Sequence, residues 1–322
     1  MSALTTTISA QEANKILSEA EKASRGTFFK SKDLHKASLL YADAGKMFHA
    51  GKMFKEACLA YERAGETNEE VQTAFIAARF YDKCVSLSAK ESTFFKSEDV
   101  ERFARRAFTC YAESAKMQCA AESLAKCARI LEETNNSRDC DDDLMRASAL
   151  FEDALDVLCE NELELYASDI FRSLCALKLK LELFNESADV CVKFAVAADK
   201  IKATATQRRC YLHAIIAHLW AGDAREAEQS YNDFAQIEQF TNSEEALISY
   251  ELLNAYSDKN DIEIQNIWEK RRVVEIVDTC FARLRLPNPK FDVREMGNRM
   301  RQSNKRNQKK TSLIEDFGDD LT

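Results

Sequence analysis

The sequence predicts an all-α fold in which helical hairpins stack into a solenoid, a curved sheet of antiparallel helices. Turn-forming residues are scarce, with 7 glycines and 2 prolines in 322 residues, where average usage gives roughly 20 and 16. Sandwiches, barrels and doubly wound sheets depend on many turns that contain Gly and Pro. Apolar residues instead recur with the period of a helix from about residue 8 to residue 286. Strict alternation is rare, so no strand is predicted.

One motif recurs along the chain and sets the order of the helices. Ala37-x-x-x-Tyr41-x-x-Ala44-Gly45 returns 20 residues later as Ala57-x-x-x-Tyr61-x-x-Ala64-Gly65. Its alanine and aromatic positions return in Ala77 with Tyr81, Ala107 with Tyr111, Ala147 with Phe151, and Ala227 with Tyr231. One helix with its turn takes about 20 residues and a helix pair about 40, near the period of tetratricopeptide (TPR) and HEAT-type arrays. The solenoid is therefore predicted to be TPR-like.

The residue types of the motif suit closely packed helix pairs, because alanine on one helix leaves space for Tyr or Phe on the next. We expect Gly45, Gly65 and Gly222 at or near the C-termini of helices, where a left-handed residue ends a helix at low cost. Polar runs at residues 135–137 and 258–261 predict turns between helices.

Three regions are predicted along the chain. A TPR-like helical solenoid covers residues 8–235, a C-terminal helical bundle covers residues 236–286, and a charged flexible tail covers residues 287–322. Pro287 and Pro289 break the last helix. The tail is polar and basic over residues 290–312, and its last ten residues are acidic with a few apolar positions.

Composition excludes several classes of protein. The net charge of −9 disfavours nucleic acid as a partner, and 46% apolar with 31% charged residues suits a soluble, well-packed chain. No apolar stretch reaches the ~18 residues of a membrane-spanning helix. Residues 1–10 contain neither Lys nor Arg and no apolar core, so no secretory signal is expected. We predict a cytoplasmic protein that associates peripherally with membranes.

Cysteine, histidine and acidic residues give no pattern typical of an active site. The 11 cysteines form no C-x-x-C, and the 4 histidines lie at no ligand spacing from them. Buried apolar thiols in a reducing cytosol are the favoured interpretation, with metal ligands or redox thiols as the alternative. The acidic run at residues 141–143 lacks the Gly and Glu of a calcium loop and is interpreted as a solvated turn. Phosphate-loop, nucleophile-elbow and zinc-protease motifs are missing, so we predict no enzyme, no cofactor and no metal.

Two loops carry adjacent phenylalanines beside basic residues. Phe28 and Phe29 lie between the first helix, about 9–24, and the second, about 33–49, and cations flank them. Aromatic rings that enter a bilayer interface beside cations would explain this exposure, so membrane contact is predicted for these two residues. The alternative is that both rings pack under the second helix. Phe94 and Phe95 repeat the sequence in another loop, for which we do not favour membrane contact.

The C-terminus offers a second candidate contact. Asp319 and Asp320 precede Leu321, so acidic groups surround an apolar side chain that could dock on a basic partner with an apolar notch. A disordered tail that aids solubility is the alternative, and the spacing alone favours it.

Taken in order, the motifs resemble the soluble NSF attachment protein (SNAP) family over roughly residues 10–285. The residues that carry the resemblance are Glu12-Ala13, Leu17-x-x-Ala20-Glu21, the Phe28-Phe29 loop, Ala37-x-x-x-Tyr41-x-x-Ala44-Gly45-x-x-Phe48, Lys55-Glu56-Ala57, Tyr61-x-x-Ala64-Gly65, Arg106-Ala107-x-x-x-Tyr111, Ala120-Ala121, Asp223-Ala224-x-x-Ala227-x-x-x-Tyr231, Leu252-Leu253-x-Ala255-Tyr256 and the terminal acid-acid-Leu.

The resemblance implies an adaptor for membrane fusion. Several copies would wrap a four-helix, syntaxin-type SNARE bundle through their concave face and recruit the hexameric AAA ATPase N-ethylmaleimide-sensitive factor (NSF). Carried onto this sequence, Phe28 and Phe29 would contact membrane, and Lys116 and Lys126 would contact acidic SNARE surfaces. Asp319, Asp320 and Leu321 would bind and stimulate the ATPase.

The chain also departs from the family pattern in two places. Its Phe-Phe loop lacks the longer apolar run of alpha-type members, and a basic insertion of roughly 25 residues before Leu321 is similar to the longer tails of gamma-type members. The subtype and the contact of Leu321 with the ATPase are left open. The sequence therefore predicts a SNARE-disassembly adaptor, with a generic TPR-like peptide-binding scaffold such as a co-chaperone as the alternative and an enzyme as a distant third.

Overall fold

The computed structural model describes residues 2–25, 31–91, 93–135 and 141–283. Over these ranges the chain forms helices joined by short connections and contains no strand, which confirms the predicted all-α fold. The chain divides into two compact units, residues 1–177 and 178–322. The tail predicted at residues 287–322 lies outside the described residues, and the predicted boundaries at residues 235 and 286 stay predictions.

Unit 1 is built from consecutive helices that pack in chain order. Its helices are α1 (Ser2–Arg25), α2 (Leu34–Ala50), α3 (Phe54–Glu70), α4 (Ala74–Ser88), α5 (Ser97–Glu113), α6 (Met117–Asn135) and α7 (Asp141–Glu160), and α8 (Ser168–Lys180) crosses the unit boundary. Each of α1 to α6 contacts the helix that follows it. Neighbouring helices joined by such short connections run antiparallel. Asp141, Asp142 and Asp143 form the first turn of α7 rather than a loop, where carboxylates complement the helix dipole.

The small residues of the repeated motif provide the close contacts between helices. Gly45 and Gly65 lie inside α2 and α3, so the expectation that they end helices was wrong. A Cβ atom on Gly45 would lie 2.8 Å from the Tyr61 ring, and one on Gly65 would lie 2.7 Å from the Tyr81 ring. Such distances are too short for any larger residue. Each glycine therefore leaves space for the ring of the tyrosine that follows 16 residues later, on the next helix.

The helices end in left-handed residues that are mostly not glycine. Lys52 has φ of 59°, its N–H donates to the His49 carbonyl (3.0 Å), and the Met53 N–H donates to the Phe48 carbonyl (2.9 Å). This is a Schellman motif, the usual end of a helix. The same backbone conformation occurs at Gln72, Ala115, Glu162, Glu182, Lys202 and Lys259. Among the described helix ends, glycine fills this position only after α10, at Gly222 with φ of 77°, as the sequence predicted.

Unit 2 is organised around one enclosed helix. Its further helices are α9 (Phe184–Lys200), α10 (Thr204–Ala221), α11 (Ala224–Phe234), α12 (Glu238–Thr241), α13 (Glu244–Ser257), α14 (Asp261–Trp268), α15 (Arg271–Ile276) and α16 (Thr279–Ala282). Helix α10 contacts α9, α11, α12 and α13, and every residue from Cys210 to Leu219 is buried. Phe281 stacks on His213 (4.3 Å between centroids), which joins the end of the described chain to α10.

Candidate functional site

The predicted membrane and ATPase residues lie outside the described part of the chain. This holds for Phe28 and Phe29 and for all three terminal residues, Asp319, Asp320 and Leu321. The described ends of the first loop are nevertheless held together. The Asp33 N–H donates to the Ala23 carbonyl (3.0 Å), and the Asp33 carboxylate caps α2 by accepting from the Lys36 N–H (3.0 Å).

The two predicted SNARE-contacting lysines lie apart on the α5–α6 connection and on α6. Lys116 is exposed just before α6, and Lys126 follows ten residues later, about 15 Å further along at the helical rise of ~1.5 Å per residue. The Lys126 ammonium donates to the main-chain oxygen of Asp82 on α4 (2.9 Å). Lys126 is thus half-buried and partly used to hold α6 against α4.

Asp82 joins three helices at this point. Its carboxylate accepts hydrogen bonds from the Tyr111 hydroxyl on α5 (2.8 Å) and from the Ser123 hydroxyl on α6 (2.7 Å). Burial, followed by the charge of Asp82, raises the pKa of Tyr111 above its ordinary value. The phenol therefore stays protonated and keeps donating, so the position of Lys126 rests on a network that is satisfied within the protein.

Sequence reasoning missed a group of cations on α2 and α4, here called the basic patch: Lys46, Arg79 and Lys83. The Lys83 ammonium lies 4.7 Å from the centre of the Tyr61 ring. Burial, and then the positive charges of Arg79 and Lys46, lower the pKa of Lys83. Among the described residues neither Arg79 nor Lys83 has a carboxylate within ion-pair distance.

Apolar side chains are exposed on the same two helices as the basic patch. Leu39 on α2 is 68% exposed and Ile76 on α4 is 45% exposed. Leu39 and Arg79 are 40 residues apart, as are Asp43 and Lys83, so each pair occupies equivalent positions in the repeat. That register is the sequence signal that could have identified the patch, because equivalent positions on alternate helices point the same way.

A second charged region, here called the arginine face, connects α3, α5 and α7. Arg106 on α5 binds Glu69 (2.6 Å) and Glu66 (3.3 Å) on α3, and Arg102 binds Glu62 (2.5 Å). The remaining pairs are Arg105 with Glu101 (2.8 Å) and Asp153 (3.2 Å), and Arg146 with Glu98 (3.0 Å) and Glu101 (3.3 Å). The four arginines, together with Glu69, Glu98 and Glu101, line a cleft of about 480 Å³. Each guanidinium already holds a carboxylate, so this face connects helices and is electrostatically satisfied.

Two further kinds of site are absent from the described residues. They contain no group of three His, Cys, Asp or Glu side chains arranged to hold a metal ion. In the same ranges, none of the helices combines the length and the apolar character that crossing a membrane requires.

These observations define a helical-repeat protein of the kind that binds partners through extended surfaces. The model of the soluble NSF attachment protein (SNAP) family matches residues 11–268. The match covers more than half of the chain, and the chain belongs to this family, which confirms the resemblance found in the sequence.

Two curated relatives and one solved structure are similar to the chain. The gamma-soluble NSF attachment protein of Arabidopsis thaliana is 31% identical over 283 residues, covering 88% of this chain and 93% of the relative. That of Dictyostelium discoideum is 21% identical over 274 residues, covering 85% and 81%. The crystal structure of BtubC (BKLC) from P. vanneervenii has a TM-score of 0.38 and 14% identity, covering 74% of this chain and 92% of that one. The two curated relatives therefore agree with the family match.

Proposed function

We propose that this chain is a gamma-type adaptor that binds assembled SNARE complexes on membranes and brings them to the hexameric ATPase NSF for disassembly. The family match over residues 11–268 carries the proposal, since it includes every helix from α2 to α14. Both curated relatives bear the gamma name, which supports that subtype. In this proposal the chain catalyses nothing itself, and ATP hydrolysis belongs to the ATPase.

The basic patch is the proposed centre of the SNARE contact. Arg79 and Lys83 carry charges that no described carboxylate neutralises, and exposed Leu39 and Ile76 lie on the same helices. Cations beside apolar side chains suit a helical bundle whose outer surface is acidic. Lys116 and Lys126 extend this surface onto α6. Such charges act mainly on association rate and orientation.

The loop and the tail supply the remaining contacts in the proposal. Phe28 and Phe29 enter the membrane interface, with Arg25 and Lys32 at the described ends of the loop. Asp319, Asp320 and Leu321 dock on the ATPase. The protein would thereby act as a peripheral membrane adaptor in the cytoplasm.

A pull-down with a preassembled SNARE complex tests the proposal. The complex is immobilised, and the chain is added with NSF and either ATP or a non-hydrolysable analogue. We expect the chain to be retained in both cases and the SNARE complex to come apart only with ATP. Failure of the wild-type chain to bind the bundle would refute the adaptor function.

One matched pair of variants tests the location of the contact. Lys83→Glu is expected to weaken SNARE binding at low salt more than tenfold, because it reverses a charge inside the basic patch. Arg63→Glu is the control, since residue 63 is the equivalent repeat position on α3, where Arg63 pairs with Glu66 (3.0 Å) on the opposite set of helices. Equal losses in both variants would show that overall charge matters and not the patch.

A further inference from the structure

The connections α2–α3 and α4–α5 lie at the same end of unit 1. Helices α2, α3, α4 and α5 contact one another in sequence and run antiparallel, so every second connection falls at the same end. The short 3-10 helix Ala89–Glu91 also contacts α3 directly. The described start of α2, at Leu34, lies at the other end, one helix length or about 25 Å away for 17 residues.

The structure separates the two adjacent phenylalanines of the α4–α5 connection. Phe95 is buried and meets Phe103 of α5 edge to face (6.0 Å between centroids). Phe94 is 47% exposed and packs against Phe95 at 4.9 Å. Because buried Phe95 holds the Phe94 ring in place, Phe94 exposes apolar surface to solvent without a change of conformation. Membrane contact was not favoured for this loop from the sequence, which does not distinguish the exposed ring from the buried one.

Lysines lie over two aromatic rings at this end, exposed Phe94 and half-buried Phe54. The Lys55 ammonium lies 3.7 Å from the centre of the Phe94 ring, and the Lys90 ammonium lies 5.0 Å from that of Phe54. Lys52 and Lys96 are exposed in the two connections. We call these six residues the turn edge: Lys52, Phe54, Lys55, Lys90, Phe94 and Lys96.

The positive charge of the turn edge is not neutralised within the protein. Among the described residues none of its four lysines lies within ion-pair distance of a carboxylate. The acids nearby are largely occupied, since Glu98 binds Arg146 (3.0 Å) and Asp99 accepts from the Lys96 N–H (3.0 Å). Within the two connections and their adjoining turns, residues 51–56 and 89–96, Glu56 and Glu91 stand against four lysines. These two connections are thus basic in a chain of net charge −9, with Glu132 and Glu133 further off at the same end of α6.

We propose that the turn edge binds the anionic headgroup surface of a membrane. Lysines attract acidic headgroups, while aromatic rings favour the boundary between headgroups and acyl chains. A peptide partner would need a pocket for an anchoring side chain, and the cavity behind the α4–α5 connection measures only about 20 Å³. A broad lipid surface needs no such pocket. This contact is separate from the Phe28 loop and independent of SNARE binding.

Vesicle co-sedimentation in a Phe28→Ser/Phe29→Ser background tests the proposal, because that background removes the contact proposed for the other end. Vesicles are made of phosphatidylcholine alone or with one third phosphatidylserine. We expect binding only to the anionic vesicles. Adding Phe94→Ser, Lys90→Ala and Lys96→Ala is expected to weaken that binding at least tenfold, since each lysine near the surface contributes roughly fivefold. No binding in the Phe28→Ser/Phe29→Ser background would overturn the proposal.

The control removes one exposed apolar side chain and two lysines from the basic patch. Leu39→Ser with Lys46→Ala and Lys83→Ala is expected to keep vesicle binding and to lose SNARE binding, whereas the turn-edge variant does the reverse. Equal loss of vesicle binding in both would overturn the proposal and leave the adaptor function untouched. If neither variant lost SNARE binding, that result would count against the SNARE contact proposed at the basic patch and not against the turn edge.

A second measurement does not depend on removing side chains. Phe94→Trp keeps an exposed aromatic ring, and its fluorescence is compared with that of the wild type, whose 2 tryptophans lie in unit 2. We expect brominated lipid in anionic vesicles to quench the added signal. If the introduced indole stays unquenched while the protein is bound to vesicles, the proposal is overturned, even if the multiple variant failed to fold.

Discussion

The arginine face and the turn edge of unit 1 use positive charge in opposite ways. On the arginine face four guanidinium groups are paired with carboxylates of neighbouring helices at 2.5–3.3 Å. On the turn edge four ammonium groups have no such partner among the described residues. Arginine forms planar, forked bonds that hold two elements in one geometry, whereas lysine is a hydrated point charge. Charge therefore serves internal structure in the first region and remains free for a partner in the second.

The largest expected effect concerns the ring on which the arginine face rests. Arg106 lies 4.4 Å over the Tyr81 ring, and Tyr81 packs on Gly65. Because a Cβ on residue 65 would lie 2.7 Å from that buried ring, Gly65→Ala is expected to lower the free energy of unfolding by about 2 kcal/mol. Urea unfolding of the wild type and the variant measures this loss. Gly51→Ala is the control, since its Cβ would come closest to the flexible end of Met53 (3.0 Å) and otherwise lie at ordinary contact distance, 3.5 Å, from two main-chain oxygens. An equal loss there would contradict the packing argument.

The next effect tests whether arginine is required for the paired face. Arg106→Ala leaves Glu66 and Glu69 half-buried without this cation and is expected to cost about 1.5 kcal/mol of unfolding free energy. Arg106→Lys should recover only part of it, because a single ammonium nitrogen lacks the two separate nitrogens with which Arg106 reaches Glu66 and Glu69. Arg79→Ala on the basic patch should stay within ~0.5 kcal/mol, as expected for an unpaired exposed residue. A loss at Arg79 as large as that at Arg106 would abolish the distinction between the two kinds of charge.

A smaller effect is expected at a turn that belongs to neither region. Gln72 joins α3 to α4 with φ of 59°, a left-handed conformation. Since this conformation strains residues that have a Cβ, Gln72→Gly should raise the unfolding free energy by roughly 0.5–1 kcal/mol. The melting temperature reports it. Arg79→Gly inside α4 should do the opposite, losing ~1 kcal/mol, and a gain there would show that glycine acts generally and not through φ.

The last effect, absent at neutral pH, is a pH dependence beside the arginine face. Burial, and then the hydrogen bond to Glu69, raise the pKa of Cys110 from 9.0 to about 12, and burial raises the pKa of Cys127 to about 12. The unfolded chain loses these thiol protons from about pH 9.0 while the folded chain keeps them. Unfolding free energy should therefore be intact below pH 9.0 and fall as pH rises toward about 12. Urea unfolding between pH 9.0 and about 12 should show that the unfolding free energy falls less steeply with pH in the double variant Cys110→Ala/Cys127→Ala. An equally steep fall in the variant would refute the assignment to these two thiols.

The sequence by itself determined the features that depend on neighbouring residues. Helical periodicity and few turn residues predicted the all-α fold, the 20-residue motif predicted the order of hairpins, and the ordered series of motifs predicted the family. The turn at residues 258–261 was predicted because polar runs break helices locally, and Gly222 because glycine tolerates positive φ.

Only the tertiary structure decided which partner each side chain meets. Gly45 and Gly65 were misplaced because their role comes from tyrosines on the next helix and not from their own backbone. Phe94 and Phe95 are identical in sequence terms, yet packing against Phe103 buries one and leaves the other in solvent. Whether a cation is paired depends on side chains about 40 residues away, as for Arg106 and Glu66. Periodicity is a property of one helix, whereas contacts across helices arise only when the hairpins pack.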